Sequence, residues 1–403
     1  MGAGSRIETL CMDVTTDPRT SRHKPLDDNL ERLGRPKGCE GISLVLQGGG
    51  ALGAYQAGVY QALHEAGLEP DWVVGVSIGA INSSIIAGNP PERRLERLEE
   101  FWTTITANDP VTVWPEGDAL RKFRNAFSAM NAMLFGQPGF FTPNTMNAWL
   151  AQRGSKAATA MYDTSPLRET LGRLVDFDLL NSGKVRFAVG AVNVANANFA
   201  YFDNANITIG PEHVMASGAL PPALPMVRIG KNHYWDGGLV SNTPLMHLLD
   251  NCGSRNTLVF QVDLFSARGE IPRDMPEVMS RTKDIQYSSR TRLITDYFVK
   301  THKLQQALYE ALSMIPDGKL SAAQRAQKAE LAHLPAINIM QLIYRQKPWE
   351  GDAKDYEFSR LSMKEHWRSG YHDTRNTLRH KDWLVMSEHN DGISTHDIYR
   401  TGA

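Results

Sequence analysis

The chain has 403 residues and a mass of 44.8 kDa, with 42% hydrophobic and 22% charged side chains and 43 Lys and Arg against 44 Asp and Glu, a net charge of −1. This is ordinary globular composition, with material for one large domain or two modest ones, and its balanced charge excludes a nucleic-acid binder or a strongly charged tail. Three scattered cysteines, Cys11, Cys39 and Cys252, exclude a disulfide framework or a Cys-rich metal site and point to a reducing, cytoplasmic setting.

Residues 1–40 are polar and read as a flexible lead-in without an apolar run of signal-peptide length. Met1-Gly2 starts like a myristoylation signal, but Arg6 stands where Ser or Thr is needed. No stretch of the chain approaches the ~20 apolar residues of a membrane span.

A buried strand is expected over 42–46, followed by Gln47-Gly48-Gly49-Gly50-Ala51-Leu52-Gly53 and a helix over 53–66. A glycine-rich turn opening a helix offers unpaired N–H groups at the positive end of the dipole, suited to a phosphate or an oxyanion. Gly48-x-Gly50-x-x-Gly53 formally fits a dinucleotide fingerprint, which also wants an acidic residue about 20 residues on, ending the second strand. The second strand, over 72–76, runs instead into Gly75-Val76-Ser77-Ile78-Gly79 and a helix over 78–87. Gly-x-Ser-x-Gly between strand and helix is the layout of a nucleophile elbow, with the serine at the tip of a sharp turn.

A third helix is expected over 92–106, opened by Pro90-Pro91. Residues 107–165, with Trp114, Phe123, Phe127, Phe140, Phe141 and Trp149, read as a helical and irregular cap. Strands follow over 185–194, 199–203 and 257–265, the last a continuous apolar run typical of a strand buried on both faces. Beyond 270 the sequence predicts one or two helices over 285–315, a strand over 336–344 and a helix over 356–378. The alternation of strands and helices predicts a three-layer α/β/α domain.

Between the second and last of those strands lie Ala216-Ser217-Gly218-Ala219-Leu220-Pro221 and Asp236-Gly237-Gly238-Leu239-Val240-Ser241-Asn242-Thr243-Pro244. The ordered set of glycine loop, Gly-x-Ser-x-Gly, Ala-Ser-x-Ala-x-Pro and Asp-Gly-Gly…Asn-x-Pro resembles the patatin-like phospholipases over about residues 40 to 270. The resemblance implies a mostly parallel sheet sandwiched by helices, and a serine acyl hydrolase using a Ser–Asp dyad. Leu52 departs from the pattern, since many members carry Lys or Arg there. On this reading residues 41–270 form the hydrolase domain, and 271–403 a C-terminal helical extension packed on it with no catalytic constellation of its own.

The expected chemistry is hydrolysis of a carboxylic ester of a lipid, phospholipid or acylglycerol, through an acyl-enzyme. Ser77 attacks the carbonyl and Asp236, its pKa raised by burial, takes the proton. Backbone N–H groups at Gly48, Gly49 and Gly50 hold the oxyanion, Gly75 and Gly79 shape the elbow, and Gly237 and Gly238 shape the loop of the carboxylate. Asn82 braces the elbow, and Asn242 and Pro244 fix the loop holding Asp236. Nothing in the chain asks for a cofactor or a metal. A Ser-Asp-His triad is the rival, because His247, His333 and His372 all follow Asp236; the elbow on the second strand and the helical setting of His247 weigh against it. His213 and His233 read as structural or surface residues. An acyltransferase using the same acyl-enzyme, or a non-catalytic lipid-binding scaffold, are the alternative functions. Residues 281–303 carry six basic side chains (Arg281, Lys283, Arg290, Arg292, Lys300, Lys303) against Asp284 and Asp296, interleaved with Ile285, Leu293, Ile294, Tyr297 and Phe298; this segment is the expected peripheral membrane contact.

Overall fold

The computed structural model describes residues 32–107, 117–386 and 392–399; most of the lead-in, Cys11 and Trp114 lie outside the described residues. The chain runs β1 (Gly41–Leu46), α1 (Ala54–Glu65), β2 (Trp72–Gly75), α2 (Ile78–Ala87) and α3 (Pro91–Ile105). The cap holds α4 (Asp118–Phe135) and the two-residue strands β3 (Thr142–Pro143) and β4 (Tyr162–Asp163). Then come α5 (Ser165–Leu174), α6 (Phe177–Asn181), β5 (Arg186–Asn193), β6 (Phe199–Asp203), α7 (Pro211–Ser217), β7 (Val227–Ile229), β8 (Asn232–Asp236), α8 (Leu245–Asn251) and β9 (Thr257–Asp263). The C-terminal part adds α9 (Met275–Tyr287), α10 (Thr291–Ser313), α11 (Ala322–Leu331), β10 (Ile337–Ile343), α12 (Arg360–Leu378) and, after a short helix at Lys381–Leu384, β11 (Ile393–His396).

Nine strands form one sheet in the order β11-β10-β9-β1-β2-β5-β8-β7, with β6 also on β5. From β11 to β5 every pairing is parallel, and β6, β7 and β8 are antiparallel. Successive side chains of a strand point to opposite faces, and here both faces are buried. Ile42, Leu44, Leu46, Val73, Phe187, Phe260 and Met340 enter one core under α1, α2 and α3. Their neighbours Val45, Trp72, Val74, Ala188, Val259 and Ile339 enter a second core with Leu245, Leu248 and Leu249 of α8 and Ile294 and Phe298 of α10. Two cores on one sheet make three layers, as the alternation predicts.

The strand expected over 336–344 pairs in parallel with β9 along its length, Ile337 opposite Thr257 to Ile343 opposite Asp263. The C-terminal part therefore completes the sheet as well as covering it. Helix α12 crosses α1 with glycine facing backbone on each side: a Cβ on Gly58 would run into the Trp367 carbonyl, and one on Gly370 into that of Tyr55. That contact lets the two helix backbones touch.

The basic segment 281–303 is divided by the fold. Arg281 donates to the carbonyls of Ser266 (3.1 Å) and Ala267, and Lys283 binds Asp355 at 2.7 Å. Ile294 and Phe298 face the second core, whereas Arg290, Arg292, Leu293, Tyr297, Lys300 and Lys303 are exposed.

Candidate active site

Strand β5 acts as a ruler for the site. One of its edges is occupied by β6; the other carries β2 as far as Gly75 opposite Val189, and then β8, with Asp236 opposite Ala191. The turn that follows β2 and the residue that ends β8 are thereby brought together across the end of the sheet, although Ser77 and Asp236 are 159 positions apart in the chain.

Ser77 stands between β2 and α2 with φ 55° and ψ −123°, a positive φ that an L side chain adopts only where its surroundings hold it. Gly75 and Gly79 make the turn sterically possible: a Cβ on Gly75 would strike the Gly79 carbonyl, and one on Gly79 would strike the carbonyl of Leu46. The Ser77 N–H is held by Ser217, through its carbonyl and its hydroxyl at 3.1 Å each, and the Ser217 hydroxyl donates to Gly190 O at 2.6 Å. Ser217 is the polar member of the Ala-Ser-x-Ala-x-Pro run, and what it does there is brace the elbow.

Asp236 is 2% exposed. It accepts a hydrogen bond from Gly238 N–H at 2.7 Å, and the nearby Ser77 hydroxyl favours its ionised form. Burial dominates over both and pushes its pKa up to about 7. Its own N–H donates to Ala219 O at 3.0 Å. The Gly237 backbone lies so close to Gly190 O that a Cβ would stand at 2.6 Å from it, so glycine at that position lets β8 close on β5.

The glycine loop lies beside the elbow, where a Cβ on Gly48 would sit 3.0 Å from Ser77 Cβ. Gly48 N–H is engaged with Asn242 O at 3.3 Å, and Ala51 N–H with Asp355 O at 2.9 Å. Among the described residues the N–H groups of Gly49 and Gly50 have no hydrogen-bond partner. Asn242 ties the two loops together, donating to Gly48 O and to Tyr287 O at 3.1 Å each. Beneath the loop, Gln47 accepts from Leu264 and Phe265 N–H and donates to Thr243 and Tyr287 O. Asn82 donates to Gly53 O and Gln56 and accepts from Trp102, bracing the first helix against the elbow.

Three of the histidines are engaged elsewhere. His247 stacks on Tyr201 with ring centroids 3.9 Å apart and reaches Asp203 at 3.3 Å. His213 accepts from Gly210 N–H at the start of α7, and His372 accepts from Arg368. His233 is exposed on β8. Among the described residues neither these nor His333 hydrogen-bonds to Ser77 or Asp236, and no cluster of three or more His, Cys, Asp or Glu side chains is arranged to hold a metal.

Three groups at the site had no local signal in the sequence. Tyr287 and Tyr356 are raised by burial and then by the nearby charges of Asp236 and Asp355. The Asp355 carbonyl approaches Gly50 so closely that a Cβ there would overlap it. All three come from beyond residue 270, where only the fold brings them to the loop.

A family model described as patatin-like phospholipase matches residues 44–249, and a second, described as patatin phospholipase, matches residues 285–390. The chain is 43% identical over 67 residues to a lysophospholipase of Aspergillus terreus, covering 17% of this chain and 4% of that one. It is 39% identical over 108 residues to a patatin-like phospholipase domain-containing protein of Caenorhabditis elegans, covering 27% of this chain and 7% of that one. The matches thus span less than a tenth of those relatives. Among solved structures, VipD from Legionella pneumophila aligns over 89% of this chain and 72% of its own with 16% identity and a TM-score of 0.39. Human GIVD cytosolic phospholipase A2 aligns over 89% and 61% with 11% identity and a TM-score of 0.40.

Proposed function

From the premise that the chain belongs to the patatin-like phospholipase family, we propose that it hydrolyses carboxylic esters of lipids through an acyl-enzyme on a Ser77–Asp236 dyad. The observation that carries this reading is the buried Asp236, raised by burial to about 7 beside the hydroxyl of a serine in strained elbow geometry. An ordinary carboxylate is a poor base toward a hydroxyl; one near 7 is matched to neutral pH.

Ser77 Oγ attacks the ester carbonyl carbon while its proton passes to Asp236. The tetrahedral oxyanion is received by the free N–H groups of Gly49 and Gly50, and one such donor in other enzymes is worth about 3 kcal/mol. Collapse expels the alcohol, which takes the proton from Asp236 and leaves an acyl-Ser77. Water then attacks the acyl carbon, giving its proton to Asp236, and the second collapse releases the acid and returns that proton to Ser77. An alcohol in place of that water would make the enzyme an acyltransferase. No helix among the described residues is long and apolar enough to cross a bilayer.

A panel of phospholipids, acylglycerols and short-chain esters, with products identified by mass, tests the reading. Ser77→Ala and Asp236→Asn should each lower turnover by about a thousandfold or more, and the double variant by little more than either, because the two act as one unit. Wild-type kcat/KM should rise with pH through about 7 as Asp236 ionises. Near-native turnover in Asp236→Asn, or a comparable collapse in His247→Gln or His372→Gln, would overturn the dyad.

A further inference from the structure

We propose that the outward stripe of α4 is the face by which the protein seats on an anionic lipid surface, an inference that rests on the reading of its substrate as a lipid ester. Leu120, Phe123, Phe127, Met130 and Leu134 recur at spacings of three and four, which places them on one side of the helix. They are 54, 71, 48, 47 and 59% exposed, whereas Ala129 and Ala132 on the other side are buried. Trp149 and Leu150, in the same cap segment, are 90 and 81% exposed. An apolar surface of this extent on a water-soluble fold marks an interaction site.

The stripe is anchored beside the dyad. The Tyr162 hydroxyl donates to Met133 O at 2.7 Å, fastening the last turn of α4 to β4. Met161 and Tyr162 N–H both donate to Ala223 O at 3.0 Å, and the segment they hold begins at Ala219, whose carbonyl takes the Asp236 N–H. At its other end α4 is pinned by the Arg121–Glu365 ion pair, with the Arg121 guanidinium 3.7 Å from the Trp349 ring centroid. Hydrogen bonds therefore link the helix that carries the stripe to the segment that positions the carboxylate.

Charge selects the occupant. The described cap, residues 117–163, has five cations (Arg121, Lys122, Arg124, Arg153, Lys156) against Asp118 and Asp163 in a chain whose net charge is −1; Arg121 is paired with Glu365 and Arg124 is buried, which leaves Lys122, Arg153 and Lys156 exposed. Each cation near an anionic bilayer contributes about 1 kcal/mol, and an amphipathic helix with bulky apolar and cationic side chains lies in such an interface. A 3–4 repeat could also pair two helices, but a second copy would bring like charges together. The basic segment 281–303 is the weaker candidate, having Arg281 and Lys283 bonded inward and Ile294 and Phe298 in the core.

The test is co-sedimentation with vesicles of equal parts phosphatidylcholine and phosphatidylglycerol, using Ser77→Ala so that no lipid is consumed. The variant Leu120→Gln, Phe123→Gln, Phe127→Gln, Leu134→Gln on that background should bind about tenfold more weakly or worse. The same four changes in the active chain should leave hydrolysis of a soluble short-chain ester within about twofold. Binding should fall in pure phosphatidylcholine and in high salt, where charges are screened. Equal binding with and without the stripe, no binding by the unaltered stripe, or a dimer in sedimentation velocity that the four changes split would each overturn the inference. Failure of the wild type to turn over any ester would sink the hydrolase reading instead, because vesicle binding is read without turnover.

Discussion

Asp236, the proposed base of the dyad, is held in the fold at the expense of stability. Its carboxylate is buried at 2% exposure and stands near pKa 7, against about 4 for the same group in an unfolded chain. Between those values the folded state holds a proton that the unfolded state has lost, so this residue makes stability fall as pH rises from about 4 to 7, with the full penalty present above 7. The penalty is on the order of a few kcal/mol. Asp236→Asn should therefore melt at a higher temperature than the wild type at pH 8, with the gain shrinking toward pH 4; an equal or lower melting temperature at pH 8 would contradict the assignment of burial as the dominant cause. Asp263, fully buried, is pushed up to about 6 by burial against hydrogen bonds from Ser289, Gln261 and Thr243, and carries the same sign.

At the scale of elements, two glycine contacts bear separately on the proposed oxyanion loop and on helix packing. In the loop after β1, a Cβ on Gly49 would come within 2.7 Å of Leu264 Cδ1, and Gly50 adopts φ +53°. Gly49→Ala should displace the free N–H groups and lower kcat by about ten- to a hundredfold with a smaller change in KM, since the oxyanion exists only near the transition state. A change confined to KM would assign the loop to binding. In the α1–α12 crossing, Gly370→Ala places a methyl group against the Tyr55 carbonyl. Overpacking of that kind costs about 1–3 kcal/mol, so thermal denaturation should shift down by several degrees while the proposed ester hydrolysis persists in the fraction that remains folded.

The whole molecule is one sheet completed late in the chain. β9 is flanked by β1 on one side and β10 on the other, and Gln47 beneath the glycine loop reaches Tyr287 O at 2.9 Å. A chain truncated after residue 270 would leave β9 as a bare apolar edge, remove the Asp355 carbonyl from Ala51 and strip α12 from α1. Bare strand edges aggregate; the truncated protein should be recovered insoluble or without cooperative unfolding, and a soluble, folded and active fragment would refute this view of the C-terminal part.

Much of this was legible because some signals are local. A strand entering Gly-x-Ser-x-Gly and a glycine loop opening a helix are short-range demands of backbone sterics, so residues 42–87 read correctly from sequence, as did the alternation that makes three layers. The strand over 336–344 was visible as an apolar run, but its seat beside β9 was not, because parallel pairing is made across long separations and leaves no mark on neighbouring residues. The antiparallel return of β8 beyond the end of β2 brings Asp236 to Ser77, and register alone decides it. Likewise the bond of Gly48 N–H to Asn242, which leaves Gly49 and Gly50 as the free donors, and the arrival of Tyr287, Tyr356 and Asp355 depend on distant segments meeting. The sequence by itself determined the residue types and local turns that acyl chemistry needs; the tertiary structure decided which of them meet, because hydrogen-bond partners and burial are properties of packed neighbours and not of chain order.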